Sequence, residues 1–133
     1  MKKGYFANIE TLTVSNNNFR KVLYTGKNLQ LVLMSLLPEE EIGLETHNEN
    51  DQFFRFEEGN GKVLVGETEY EVSADDVVII PAGTPHNVIN ISSNESLKFY
   101  TIYAPSHHKD GIVRETKADA LANEAEFDGV TSE

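Results

Sequence analysis

The sequence predicts an all-β barrel or sandwich with a short helix near its C-terminal end. Three observations carry that prediction. Apolar residues come in short runs, many of them alternating with polar ones, and turn residues separate the runs. Only one stretch, rich in Ala, Glu and Lys, has the composition of a helix. The 133 residues suit one domain, with a barrel core at about 19–105 and a loop, helix and tail over 106–133.

The first strand is expected at Phe19–Tyr24 and is ended by Gly26; the second, Leu29–Leu37, is closed by Pro38. Gln52–Phe56 follows and runs into Glu57-Glu58-Gly59-Asn60-Gly61, a turn that calls for positive φ. Lys62–Val65 and Glu69–Val72 read as a hairpin across Gly66-Glu67-Thr68. Val77–Ile80 stops at Pro81, His86–Ile91 leads into a polar loop, and Leu97–Tyr103 is the last long strand before Pro105. Lys117–Ala125 is the expected helix, and the last few residues are expected to fray.

The chain has no cysteine, which excludes disulfides, zinc–thiolate sites and cysteine nucleophiles. A metal would have to be held by histidine, carboxylate, amide or water. The net charge of −11 would repel a phosphate backbone, so neither nucleic acid nor an anionic membrane is an expected partner. No apolar run reaches the ~20 residues of a membrane helix. Met1-Lys2-Lys3-Gly4-Tyr5 lacks the apolar core of a secretion signal, so the expected location is cytoplasmic.

Side chains two apart on an extended strand share a face, so His47 and Glu49 point the same way. On the next strand Gln52 shares a face with Phe54 and Phe56, polar at one end and aromatic behind. Pro81-Ala82-Gly83-Thr84-Pro85 turns sharply into His86, with Val88 and Asn90 on the same face. His107-His108 follows Pro105 in a loop that reads as a cover for the barrel mouth or a contact with a partner subunit. Tyr103 should share a face with Phe99 and Thr101, with Lys98 facing solvent. Its hydroxyl either reaches the site or is bonded elsewhere in the core.

These residues resemble the two motifs of the cupins, whose fold is the double-stranded β-helix, a jelly-roll barrel. The first motif is a His-x-His pair followed by Glu and then Gly. His47 matches its first His, Glu49 stands at its second, and Gln52 stands where the Glu belongs, six residues being left before Gly59. The second motif, Pro-x-Gly-x-x-His and then Asn, is met by Pro81, Gly83, His86 and Asn90, with Asp75 in place of its leading Gly. Phe19–Tyr24, Asp51–Arg55 and Tyr100–Tyr103 are similar to stretches of small bacterial cupins often described as sugar-phosphate isomerase-like.

The resemblance implies one divalent metal ion, iron, manganese, nickel or zinc, on His47, Glu49, Gln52 and His86. Asp51 is the alternative if the register differs, and Gln52 is otherwise a contact to substrate or to a metal-bound water. Glu49 and Tyr103 are the expected proton-moving groups, and a small polar or carbohydrate-like molecule the expected ligand. Metal-dependent isomerisation is the first function class, non-haem dioxygenase chemistry the second, and ligand binding or sensing without turnover the third. A homodimer through the early strand is also expected.

Overall fold

The structure is a computed structural model describing residues 1–133. Its strands are β1 (Arg20–Thr25), β2 (Gln30–Leu36), β3 (Asp51–Glu58), β4 (Gly61–Val65), β5 (Thr68–Val72), β6 (Val77–Ile80), β7 (His86–Asn90), β8 (Leu97–Ala104) and β9 (Val113–Arg114). Helix α1 (Ile9–Ser15) precedes them and α2 (Lys117–Ala122) follows. Six strands form one antiparallel sheet in the order β6-β3-β8-β2-β1-β9, and β5-β4-β7 form a second.

Period-two alternation decides what lies between the sheets. Phe54 and Phe56 of β3, Leu97 and Phe99 of β8, Val32 and Leu36 of β2, Val63 of β4 and Val88 of β7 point inward and are fully buried. Burial of such a side chain contributes about 1.5–3 kcal/mol. Toward one end the same inward faces turn polar. Gln30, Tyr103 and Gln52 stand side by side across β2, β8 and β3, and His86 opens β7. That polar row marks the barrel mouth.

The sequence expectations for β1–β8 match these elements closely. Gly59 takes φ 97°, and a Cβ there would lie 2.5 Å from the carbonyl oxygen of Ser96. Asp75 sits at φ 75°, a left-handed conformation that Asp tolerates better than most residues, which explains how it occupies a glycine position.

Four details differ from expectation. Helix α1 is absent from the sequence reading because Ile, Thr and Val give Ile9–Ser15 the composition of a strand; its N-cap is the Asn8 side chain, which accepts from Thr11 N at 3.0 Å. Lys98 is buried rather than solvated, since α1 covers that outer face. Its Nζ donates to the carbonyls of Val14 and Asn16 and to Asn17 Oδ1, at 2.8–2.9 Å. Helix α2 ends at Ala122, because the residues after it pair back onto the 107–109 segment, where Lys109 N donates to Ala125 O and Phe127 N to His107 O. The last residue does not hang free: the Glu133 carboxylate accepts from Lys3 N, Gly4 N and the Tyr24 hydroxyl.

Candidate metal centre

The segment before β3 runs antiparallel to β7. Ile42 N donates to Val88 O, and Glu45 and His86 exchange both backbone hydrogen bonds at 2.9 Å. Opposite residues of such a pair project to one face. His47, two residues beyond Glu45, projects with them. The His47 imidazole Nε2 lies 3.0 Å from Glu45 Oε2, and the ligand atoms of Glu45, His47 and His86 all fall within 4.8 Å of one another.

His86 is 4% exposed. Its Nδ1 lies 2.9 Å from the carbonyl oxygen of Thr84, which can only accept, so Nδ1 carries the proton and Nε2 a lone pair. Nε2 is buried without a hydrogen-bond partner. Burial lowers the His86 pKa, with His47 adding to the effect and the Thr84 bond opposing it, so the ring stays neutral. A neutral imidazole fixed through Nδ1 with Nε2 presented is the usual form of a metal-binding histidine. Glu45 stays ionised: burial raises its pKa, but the hydrogen bond from His47 and the nearby Arg20 guanidinium help bring it below the usual carboxylate value.

The other expected site residues lie as follows. Gln52, 3% exposed, donates from Nε2 to Thr101 Oγ1 at 3.0 Å, while its Oε1 is buried without a partner. The buried lone pairs of His86 and Gln52 together fit a cation in the mouth. Asp51 is exposed and accepts from Ala82 N at 2.9 Å, bracing the turn before His86 instead of facing inward. Glu49 is exposed and lines a rim cavity of about 410 Å³ with His47 and His107. The carboxylate gathered with the two histidines is therefore Glu45 and not Glu49. Pairing with β7 ends at Glu45; the His47 carbonyl accepts from Gly83 N in the turn before β7, and the chain bends at Asn48 and Glu49, which breaks the alternation that puts Glu49 inside.

All four histidines of the chain meet in this mouth. The His47 ring centroid lies 5.2 Å from that of His86 and 4.4 Å from that of His107, and His107 lies 4.7 Å from His108. Fully buried Gln30 holds the tandem pair: its Oε1 accepts from the backbone N–H of both, and its Nε2 donates to the His108 carbonyl. Tyr103, 2% exposed, stacks on His107, and its hydroxyl lies 3.2 Å from His108 Nε2. Burial drives the phenol pKa far upward, so Tyr103 is a neutral hydrogen-bonding group.

Residues 32–103 match the family model described as Cupin domain. The chain belongs to the cupin family. It is 48% identical over 128 residues to the Bacillus subtilis protein YrkC, spanning 92% of this chain and 68% of that one. It is 42% identical over 112 residues to protein L612 of Acanthamoeba polyphaga mimivirus, spanning 82% of this chain and 70% of the viral protein. A crystal structure from Bacillus halodurans superposes with a TM-score of 0.88 at 47% identity, over 91% of this chain and 96% of that one.

Within this cupin the second-motif Asn has a structural task. Asn90 donates from Nδ2 to the carbonyls of Leu36, Leu37 and Glu95 and accepts from Ser92 N, closing the end of the barrel opposite the histidines. Sequence reasoning missed Glu45 and Arg20. Glu45 has the same parity as His47, the signal that would have found it. Arg20 has the parity of buried Val22 on β1, a second such signal.

Proposed function

We propose that this cupin holds one divalent transition metal ion on Glu45, His47 and His86, with Gln52 Oε1 as a further oxygen donor. A small polar molecule would bind beside the ion in the mouth. The observation that carries the reading is the buried Nε2 of His86, turned toward Glu45 and His47 and without a partner. Two imidazoles and one carboxylate suit iron, nickel, zinc and manganese. A bound divalent ion supplies Lewis acidity toward a carbonyl or hydroxyl oxygen. Tyr103 stays protonated and orients such an oxygen by hydrogen bonding. Glu49 is exposed at the rim and faces the outer cavity rather than the interior. Isomerisation of a hydroxy-carbonyl compound is the enzyme class we favour. The two-His-one-carboxylate donor set also supports a dioxygenase reading, and oxygen uptake by the iron-loaded protein with candidate substrates separates the two.

Purified protein, or protein incubated with iron, manganese, nickel and zinc and then desalted, is expected to carry close to one equivalent of metal per chain. Elemental analysis showing none after both treatments would end the proposal.

No helix is long and apolar enough to cross a membrane, and we place the protein in the cytoplasm. We also propose a homodimer, but not through β1, which lies between β2 and β9 with Phe19 and Val22 buried. Edge strand β6 exposes Val77 and Ile79, beside Tyr70 of β5. Light scattering is expected to give twice the single-chain 14.9 kDa at micromolar concentration; the single mass would overturn it.

A further inference from the structure

Strand β1 sends Arg20 into the barrel mouth, on the face shared with Val22 and in register with buried Met34 of β2. The side chain lines a cavity of about 270 Å³ together with Glu45, His47, His107 and His108. Its guanidinium carbon lies 5.3 Å from the centre of the Phe19 ring. Its Nε is buried and has no hydrogen-bond partner, and no ion pair of the chain includes it.

That isolation is unusual for this chain, in which acidic residues outnumber basic ones 22 to 11. Arg55 pairs with both Glu57 and Asp75, Arg114 bonds the Asn123 carbonyl, and buried Lys98 has three acceptors. A buried guanidinium N–H without an acceptor is costly, and that cost is recovered when an anion arrives. The Glu45 carboxylate on the same cavity is taken by His47. Glu124 and Glu126 also line the cavity, but they are exposed at its rim. The planar fork of arginine matches a carboxylate with two parallel hydrogen bonds, a fit that lysine lacks. The cavity volume falls below the ~300–1,000 Å³ of drug-sized pockets, which leaves room for a handful of atoms.

We propose that Arg20 is the anion anchor of this site, and that the ligand is a small monocarboxylic acid with a hydroxyl or keto oxygen next to the carboxylate. The carboxylate docks on Arg20. The neighbouring oxygen faces Glu45, His47 and His86, a placement that rests on the metal reading above. The acidic rim disfavours a second negative charge, so a dicarboxylate binds more weakly than its monocarboxylate counterpart.

The test is calorimetric titration of lactate and pyruvate against their uncharged counterparts 1,2-propanediol and hydroxyacetone, with malate as the dicarboxylate. It is run on metal-loaded and on chelator-treated protein. Both acids are expected to bind at least about tenfold more tightly than the neutral compounds, the scale of a charge-assisted pair. Arg20→Gln should remove that preference without lowering metal content, and Arg20→Lys should keep part of it. Acid preference that persists in chelator-treated protein supports Arg20 even if no metal is ever taken up. Equal affinity for acids and neutral compounds, no measurable binding of either acid at millimolar concentration, or a folded Arg20→Gln protein with wild-type acid affinity would each overturn the proposal. Should Arg20→Gln fail to fold, the comparison of ligands on the unmodified protein decides alone.

Discussion

Alanine in place of both His47 and His86 is expected to lower affinity for a divalent transition ion by three orders of magnitude or more and to leave the barrel folded. Structural zinc sites with four protein donors carry roughly 10–16 kcal/mol at neutral pH, so each donor is worth about 2.5–4 kcal/mol. Loss of two donors then removes well over a thousandfold, since each ~1.4 kcal/mol is a factor of ten. The fold should survive because the aromatic core of Phe54, Phe56 and Phe99 is built from other residues. Single carboxylate variants sharpen the test. Glu45→Gln should weaken binding tenfold or more, whereas Glu49→Gln, altering an exposed rim residue, should leave it within a factor of two or so. Competition against a metal chelator reads all of these. Wild-type affinity in the double variant would remove both histidines from the site, and a larger loss for Glu49→Gln than for Glu45→Gln would reverse the assignment of the carboxylate.

The contrast between Glu45 and Glu49 shows where the sequence is legible and where it stops. The strands were readable because alternation and turn residues are local: Gly59 and the Gly66 hairpin fall where the chain needs them. His86 was readable for the same reason, its Pro-x-Gly turn lying within six residues of the side chain it aims. Choosing Glu45 over Glu49 requires knowing that Glu41 and Glu45 pair with β7 and that the chain bends away at Asn48 and Glu49. Those partners are some forty residues apart, and no local pattern reports their register. Arg20 and the His107–His108 pair meet the site only because β1 and the 106–127 segment close over the same mouth. The burial of Lys98 depends likewise on α1 folding back across β8.

Acid should destabilise the metal-free protein in a way that depends on His108. Burial is the main cause that pushes its pKa down, to about 2, with Arg20, His107 and His47 adding to it, and the residue is only 8% exposed. In the unfolded chain it titrates near ~6.5. Between those values the unfolded state holds a proton that the folded state does not, so stability falls as pH falls. The contribution is complete above about pH 6.5. By about pH 4.5 some two units of that window have been crossed, a loss of roughly 2–3 kcal/mol from this residue. His107, lowered by burial to about 4, acts in the same direction and less strongly because solvent reaches it. Carboxylates also titrate in this range, so the wild type alone is uninformative. His108→Gln removes the titration while its amide oxygen can still accept from the Tyr103 hydroxyl. Urea denaturation of chelator-treated protein at pH 7.5, 5.5 and 4.5 should show the wild type losing about 2–3 kcal/mol more than the variant across the range. Parallel pH profiles for the two proteins would mean that His108 is already charged in the folded state, or solvated enough to become so, and that the mouth is wetter than its geometry indicates.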